Sequence, residues 1–466
     1  MKIMLIQPKM RKRPMDTNLK AQMSPSLALL TLNKLTPPFH EVIIVNENIE
    51  KINFDEENLD LVGITVTVDV LNRASDISKR FRERGVTVVA GGIHITANPD
   101  KHMDQFDAIC VGMAERVWRK ILEDKINNNL KKVYKDMENF KGNEICSPDY
   151  NSYNNNYLYT DVISTSRGCP HKCDFCYNSC DAIKYINRPI EDVISDIKSL
   201  NSTHIMFVDD NFIGNLKWTY DFLLQIKDLG LKWNAAVTTK IYHHLDLLDL
   251  MAETGCQSLF IGFESINKDS IKSVHKHNCI EEYSSLIKEL HKRGIAVNAS
   301  MVFGLPDDDM SIFEESVNFL IEHKVESLTS HILTPYPGTV LYDDCLKKNM
   351  IKDFDLSKYN TAHVVFKHDK MTDDELYKGY LKVYKKFYSF RNILKRLPED
   401  KRAWKPYLLF NLLYRKFGKL TELITKIIPM NFIGNFAMKI AYDKRELSSS
   451  RDYEKNYRNT IKNALS

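Results

Sequence analysis

Along the first 125 residues the apolar positions come in short compact runs, separated by segments of helical spacing. The runs "KIMLIQP" (2–8), "EVIIVNE" (41–47), "LVGITVT" (61–67), "VTVVAGG" (86–92) and "DAICVG" (107–112) are rich in Val and Ile. They stop at Gly, Pro or polar residues, which predicts five strands. "SLALLTLNKL" and "VLNRASDISKRFRERG" between them carry the i, i+3, i+4 pattern of helices. Strands that are apolar throughout are buried on both faces, so the series predicts a doubly wound parallel α/β sheet. On such sheets ligands lie beyond the carboxyl ends of the strands. That rule selects Thr65, Gly91, Gly92, His94, Gly112 and Glu115 as candidate ligand-facing residues.

The pattern then changes twice. "KINNNLKK" and "SPDYNSYNNNYLYT" are polar and rich in Asn and Tyr, which predicts a linker. A second strand–helix series follows, with strands expected at "DVISTS", "HIMFVDD", "KWNAAVTT", "SLFIGFES", "AVNASMVFGLP" and "SLTSHILTPYPGT". Six repeats of this kind predict a partial or complete (βα) barrel. Beyond residue 370 the chain reads as helical, opening on "MTDDELYKGY", where Thr372 and Glu375 fit a capping box. The expected organisation is a sheet domain at 1–130, a linker at 131–160, a barrel at 161–370 and a helical C-terminal region at 371–466.

Composition narrows the setting. No apolar run approaches the roughly 18 residues of a membrane span. The short apolar start of "MKIMLIQPKMRKR" precedes its positive charge, the reverse of an export signal. Nine cysteines, an odd number without the spacing of a disulfide framework, point to a reducing, cytoplasmic location. Net charge is only +4, yet Lys382–Lys439 holds 14 Lys or Arg against three acidic residues. That basic segment is also apolar, and two readings stay open: peripheral contact with a membrane surface, or a helical lid with a solvated basic face. Nothing resembles a nucleic-acid-binding module, so no nucleic-acid partner is expected.

Chemistry concentrates in "TSRGCPHKCDFCYN" (165–178), where Cys169, Cys173 and Cys176 stand directly after a predicted strand. Three thiolates on one loop can hold three irons of a [4Fe–4S] cluster and leave the fourth open. A zinc site completed by His171 or Cys180 is an alternative, although structural zinc favours paired ligand sets. A redox C-x-x-C pair would leave Cys169 unexplained.

The C-x3-C-x2-C loop resembles that of the radical S-adenosylmethionine (SAM) superfamily. "FVDDNF" (207–212), "GFES" (262–265), "VFGLP" (302–306) and "TPYPGT" (334–339) resemble its later strand-end motifs, in order, within residues 160–370. The first domain resembles the flavodoxin/Rossmann-like, cobalamin-binding-type domain found ahead of the barrel in one branch of that superfamily. This resemblance implies a partial (βα)6 barrel and three cofactors: a [4Fe–4S] cluster, SAM and cobalamin. It implies SAM contacts at Asp209, Asp210, Asn211, Glu264, Ser265, Gly304 and Pro306. It implies cobalamin contacts at the sheet-end residues named above. No histidine here sits in the D-x-H-x-x-G pattern that ligates cobalt in other corrinoid proteins.

The implied activity is methyl transfer to an unactivated carbon through a 5′-deoxyadenosyl radical. The alternative is cyclisation or rearrangement on the same architecture. Implied partners are a small-molecule substrate, lipid-like or tetrapyrrole-like, and an external electron donor such as flavodoxin or ferredoxin. Methylthio transfer is excluded, because it needs a second cluster on three N-terminal cysteines and only Cys110 and Cys146 precede the loop.

Overall fold

The computed structural model describes residues 1–414, apart from 14–22, 137, 153–156, 158–160, 181–183, 201–202, 275 and 277. Its first sheet has six strands: β1 (Lys2–Gln7), β2 (Glu41–Asn46), β3 (Leu59–Thr65), β4 (Thr87–Gly91), β5 (Ala108–Val111) and β6 (Val133–Lys135). They lie in the order β2-β1-β3-β4-β5-β6, and every pairing is parallel. Because side chains alternate across a strand, Met4, Ile6, Val62, Ile64, Val88 and Ala90 enter one core. Ile3, Leu5, Leu61, Val89 and Cys110 enter another on the opposite face. Helix Leu71–Arg82 covers the first core, and helices Leu27–Leu35 and Trp118–Ile126 cover the second. This is the doubly wound arrangement expected, with the order reversing between β1 and β3. The sheet extends further than expected, since β6 falls inside the span read as linker. A three-residue edge strand with one neighbour carries too few apolar positions to stand out from its polar surroundings.

Two short strands, β7 (Val162–Ile163) and β8 (Ser166–Arg167), open the second unit, with β8 pairing antiparallel to β9 (Ile186–Asn187). The main strands follow: β10 (His204–Phe207), β11 (Lys232–Thr238), β12 (Cys256–Glu264), β13 (Ala296–Phe303) and β14 (Ser327–Ile332). Their sheet runs β14-β13-β12-β11-β10-β7, all parallel, with β7 and β14 as its two edges. The barrel is therefore partial. Trp233, Val237, Leu259, Ile261, Val297, Ala299, Leu328 and Ile332 face the surrounding helices and form the largest core.

Helix Asp373–Phe387 begins with the expected capping box, Thr372 and Glu375 exchanging hydrogen bonds. It packs on the convex side of the barrel rather than over its mouth, burying Leu376, Tyr380, Val383 and Phe387. Edge strand β14 would otherwise expose unpaired backbone donors. Tyr388 Oη accepts from Leu328 N at 3.0 Å, and Tyr384 Oη accepts from Ser330 N at 3.1 Å. This helix thus serves as an edge cover and not as a lid. The later part of the basic apolar segment, from residue 415 on, lies outside the described residues. Among the described residues no helix is long and apolar enough to cross a membrane.

Candidate active site

The three clustered cysteines leave β8 on a tight loop, with Cys176 N donating to Cys173 O at 3.0 Å. Burial pushes all three thiols up, Cys176 to about 11. The Lys276 ammonium acts on each in the opposite direction, favouring the thiolate. All nine cysteines are free thiols. Among the described residues no three His, Cys, Asp or Glu side chains converge on one point suited to a single metal ion. Zinc would require such convergence, with Zn–S bonds of about 2.3 Å. A cubane distributes its thiolates over separate irons, and an all-thiol donor set on one loop fits it. Cys180 is turned toward another loop, its thiol 2.8 Å from Gly338 O.

The end of β10 carries the expected Asp209, Asp210 and Asn211. Asp209 is engaged by its own chain: it accepts from Thr165 N at 2.9 Å, Ser166 N at 2.6 Å and Ser166 Oγ at 2.6 Å. Complete burial outweighs these donors and raises its carboxyl to about 6. Asp209 therefore braces the start of the cluster loop. Asp210 is reached by solvent yet walled by protein, and desolvation raises its carboxyl against the pull of Asn178 and Arg167. Asn211 is buried, and its Oδ1 has no hydrogen-bond partner among the described residues. A buried orphan acceptor costs about 1–3 kcal/mol unless a ligand satisfies it. A SAM ammonium, which only donates, fits that need.

Glu264 ends β12 at φ +64°, after a register shift between Gly262 and Glu264. A left-handed non-glycine residue at a strand end stores strain of the kind that clusters at functional sites. Its carboxylate forms a buried ion pair with Lys276, and Ser300 Oγ donates to it at 3.5 Å. Ser265 is buried and accepts from Asn267 N at 3.0 Å, shaping the following turn. Gly304 lies at φ +85°, but a Cβ there would meet Leu376 at 2.9 Å. The Cβ side of Gly304 is therefore filled by the C-terminal helix, and Pro306 is exposed. Asp308 holds this turn, accepting from Gly304 N and Leu305 N at 3.0 Å each.

The sheet-end residues of the first domain come to the same region. Gly92 adopts φ +108°, and a Cβ there would stand 2.8 Å from the backbone of Val66, next to Thr65. Only glycine lets the chain after Gly91 turn this closely over the end of β3. Gly112 N donates to Thr96 Oγ1 at 3.0 Å. Glu115 pairs with Arg167 at 3.6 Å, joining the first domain to the strand that leads into the cysteines. His94 is neither at the surface nor available as an open ligand. It is fully buried, with Nδ1 2.9 Å from Tyr177 Oη and Nε2 3.1 Å from His102 Nε2. Burial and the neighbouring His102 push it down to about 3. Tyr177 directly follows Cys176 and stacks on Tyr336, centroids 4.9 Å apart. Asn98 Nδ2 donates to Pro337 O at 2.7 Å beside them. Hence the first domain, the cysteine loop and the loop after β14 meet at one place.

Known proteins agree with this geometry. Residues 163–320 match the model of the Radical SAM superfamily. The chain is 30% identical over 421 residues to bacteriochlorophyllide d C-8(2)-methyltransferase of Chlorobaculum tepidum, covering 85% of this chain and 91% of that one. It is 27% identical over 434 residues to that organism's bacteriochlorophyllide d C-12(1)-methyltransferase, covering 90% and 94%. The solved structure of the cobalamin-dependent SAM radical enzyme OxsB with aqua-cobalamin bound shares the fold at a TM-score of 0.61. That match has 14% identity and covers 100% of this chain and 80% of the other. Fold and site thus define a radical SAM enzyme with a cobalamin-binding-type first domain. The chain belongs to the radical SAM superfamily, with methyltransferases among its relatives.

Two site residues were not selected from sequence. Lys276 lies in "SVHKHN", where the flanking histidines are the more conspicuous candidates, and only the fold brings it to Glu264 and the thiols. Tyr177 reads as an aromatic spacer until the first domain is packed against it.

Proposed function

We propose that the chain methylates an unactivated carbon of a tetrapyrrole-like small molecule. The observation that carries this reading is the 2.9 Å contact of His94 with Tyr177, which sets the sheet-end loops of the first domain against the cysteine loop. A substrate held beside those loops would meet both cofactors. Bound there, they supply a methyl group and a hydrogen-abstracting radical.

The protein's own residues would position and exclude water. Cys169, Cys173 and Cys176 would ligate the cluster, held by the Asp209 brace. Asn211, Asp210 and the Glu264–Lys276 pair would bind SAM, its ammonium at Asn211 and its carboxylate and ribose at the ion pair. Thr65, Gly91, Gly92, Gly112 and Glu115 would border cobalamin, with His94 held away from cobalt by its two hydrogen bonds. The tetrapyrrole class is supported by the names of the two methyltransferase relatives. Electrons would come from an external flavodoxin- or ferredoxin-type donor.

Anaerobic reconstitution with and without cobalamin, on bacteriochlorophyllide d, tests the proposal. S-adenosylhomocysteine and 5′-deoxyadenosine should both accumulate in step with methylated product. Deoxyadenosine without S-adenosylhomocysteine would replace methylation by cyclisation or rearrangement.

A further inference from the structure

The concave face of the barrel holds a histidine that the cofactor assignment leaves unused. On β14, Leu328 and Ile332 enter the outer core, so alternation turns Thr329 and His331 inward. Thr329 Oγ1 donates to Asn298 Oδ1 at 3.2 Å, on the neighbouring strand's inner face. His331 Nδ1 lies 2.9 Å from Thr361 Oγ1. The same hydroxyl accepts a 3.0 Å hydrogen bond from Arg13 Nη1. A guanidinium only donates, so the hydroxyl hydrogen is left for His331 Nδ1. Burial and the Arg13 charge push the ring down to about 4, which makes it neutral near pH 7. A neutral ring that accepts at Nδ1 carries its proton on Nε2, an assignment made by its partners. Among the described residues nothing accepts from that Nε2–H.

Thr361 itself is an outlier. It sits at φ +63°, which a β-branched residue rarely adopts. Its carbonyl accepts from Ile332 N at 2.8 Å, so the strained residue is fixed from the strand as well as by Arg13. Strain held this firmly is typical of functional positions.

We infer that His331 presents Nε2–H to a carboxylate of the substrate, with Thr361 and Arg13 as the residues that orient it. A neutral donor in the field of a guanidinium suits an anionic oxygen better than a neutral carbonyl. The inference rests on the tetrapyrrole reading above, since a chlorophyllide carries a free propionate.

The test measures binding of bacteriochlorophyllide d and of its propionate methyl ester to the reconstituted full chain, by absorbance shift. Wild type should bind the acid at least about 10-fold more tightly than the ester. His331→Phe should erase that preference, and His331→Gln, which keeps an N–H donor, should retain most of it. Equal binding of acid and ester by wild type, binding of neither, or an undiminished preference in His331→Phe overturns the assignment. Deoxyadenosine and S-adenosylhomocysteine formation by wild type in the same samples reports separately on the proposed methylation.

Discussion

The two six-stranded sheets are both wholly parallel, yet they bury their faces differently. In the first, strands β1 to β5 send apolar side chains to a core on either side. In the second, the outer face is apolar, while the inner positions include Asn234, Ser258, Asn298, Thr329 and His331. A complete barrel fills its interior with branched apolar residues. This open one carries polar groups there instead, hydrogen-bonded to one another, as Ser258 Oγ to Asn234 Oδ1 at 2.7 Å and Thr329 Oγ1 to Asn298 Oδ1 at 3.2 Å. Both sheets bring their candidate site residues to the carboxyl ends of their strands, Gly91, Gly92 and Gly112 in the first and Asp209, Asp210, Asn211 and Glu264 in the second. The contact proposed for His331 would add the inner face of the second.

The sharpest way to break the comparison is Cys176→Ala. Cluster assembly and deoxyadenosine formation should vanish, as measured by iron content and product analysis, while cooperative unfolding of the first domain persists. Retained SAM cleavage would defeat the ligand assignment. Next come the cores. Leu61→Ala in the first sheet and Ile261→Ala on the outer face of the second should each lose about 2–5 kcal/mol in denaturant titrations. Asn298→Ala on the inner face should lose only about 1 kcal/mol. An equal loss at all three would erase the distinction between faces.

The buried histidine at the domain junction gives a pH test. His94 titrates at about 3 in the fold against an ordinary 6.5. Between those values the unfolded chain binds the extra proton. Its contribution is therefore full above pH 6.5 and is lost as pH falls, by about 1.4 kcal/mol per pH unit for one proton. His94→Gln should flatten the acid slope of stability by that amount, and an unchanged slope would show the site is not the source. The smallest effect is expected at Glu115→Gln, because its partner Arg167 is partly exposed and 3.6 Å away. Thermal unfolding should register less than about 1 kcal/mol.

Much of the fold was readable because β-branched runs and turn residues mark strand ends. The segments "LVGIT", "VVAG" and "NASMVF" fall within observed strands. Strand β6 was hidden by its polar context and its edge position. The cluster cysteines stand out because their spacing is local. By contrast, Lys276 meets Glu264 only once the connection after β12 folds back on the strand end, and His94 meets Tyr177 only after distant segments pack; no periodicity encodes such contacts. Gly304 shows a related limit: the room left by its missing Cβ is taken by Leu376, 72 positions on. Sequence marks where glycine stands but not which neighbour needs the room.

The Tyr177 tie has a thermodynamic consequence. One residue joins the loop bearing Cys176 to the interior of the first domain through His94 and to the loop after β14 through Tyr336. Ordering any one of these three segments lowers the conformational cost of ordering the other two. By reciprocity, whatever tightens the cysteine loop must stabilise docking of the first domain by the same free energy. Assembly of the two halves and loading of the loop are then a single coupled equilibrium.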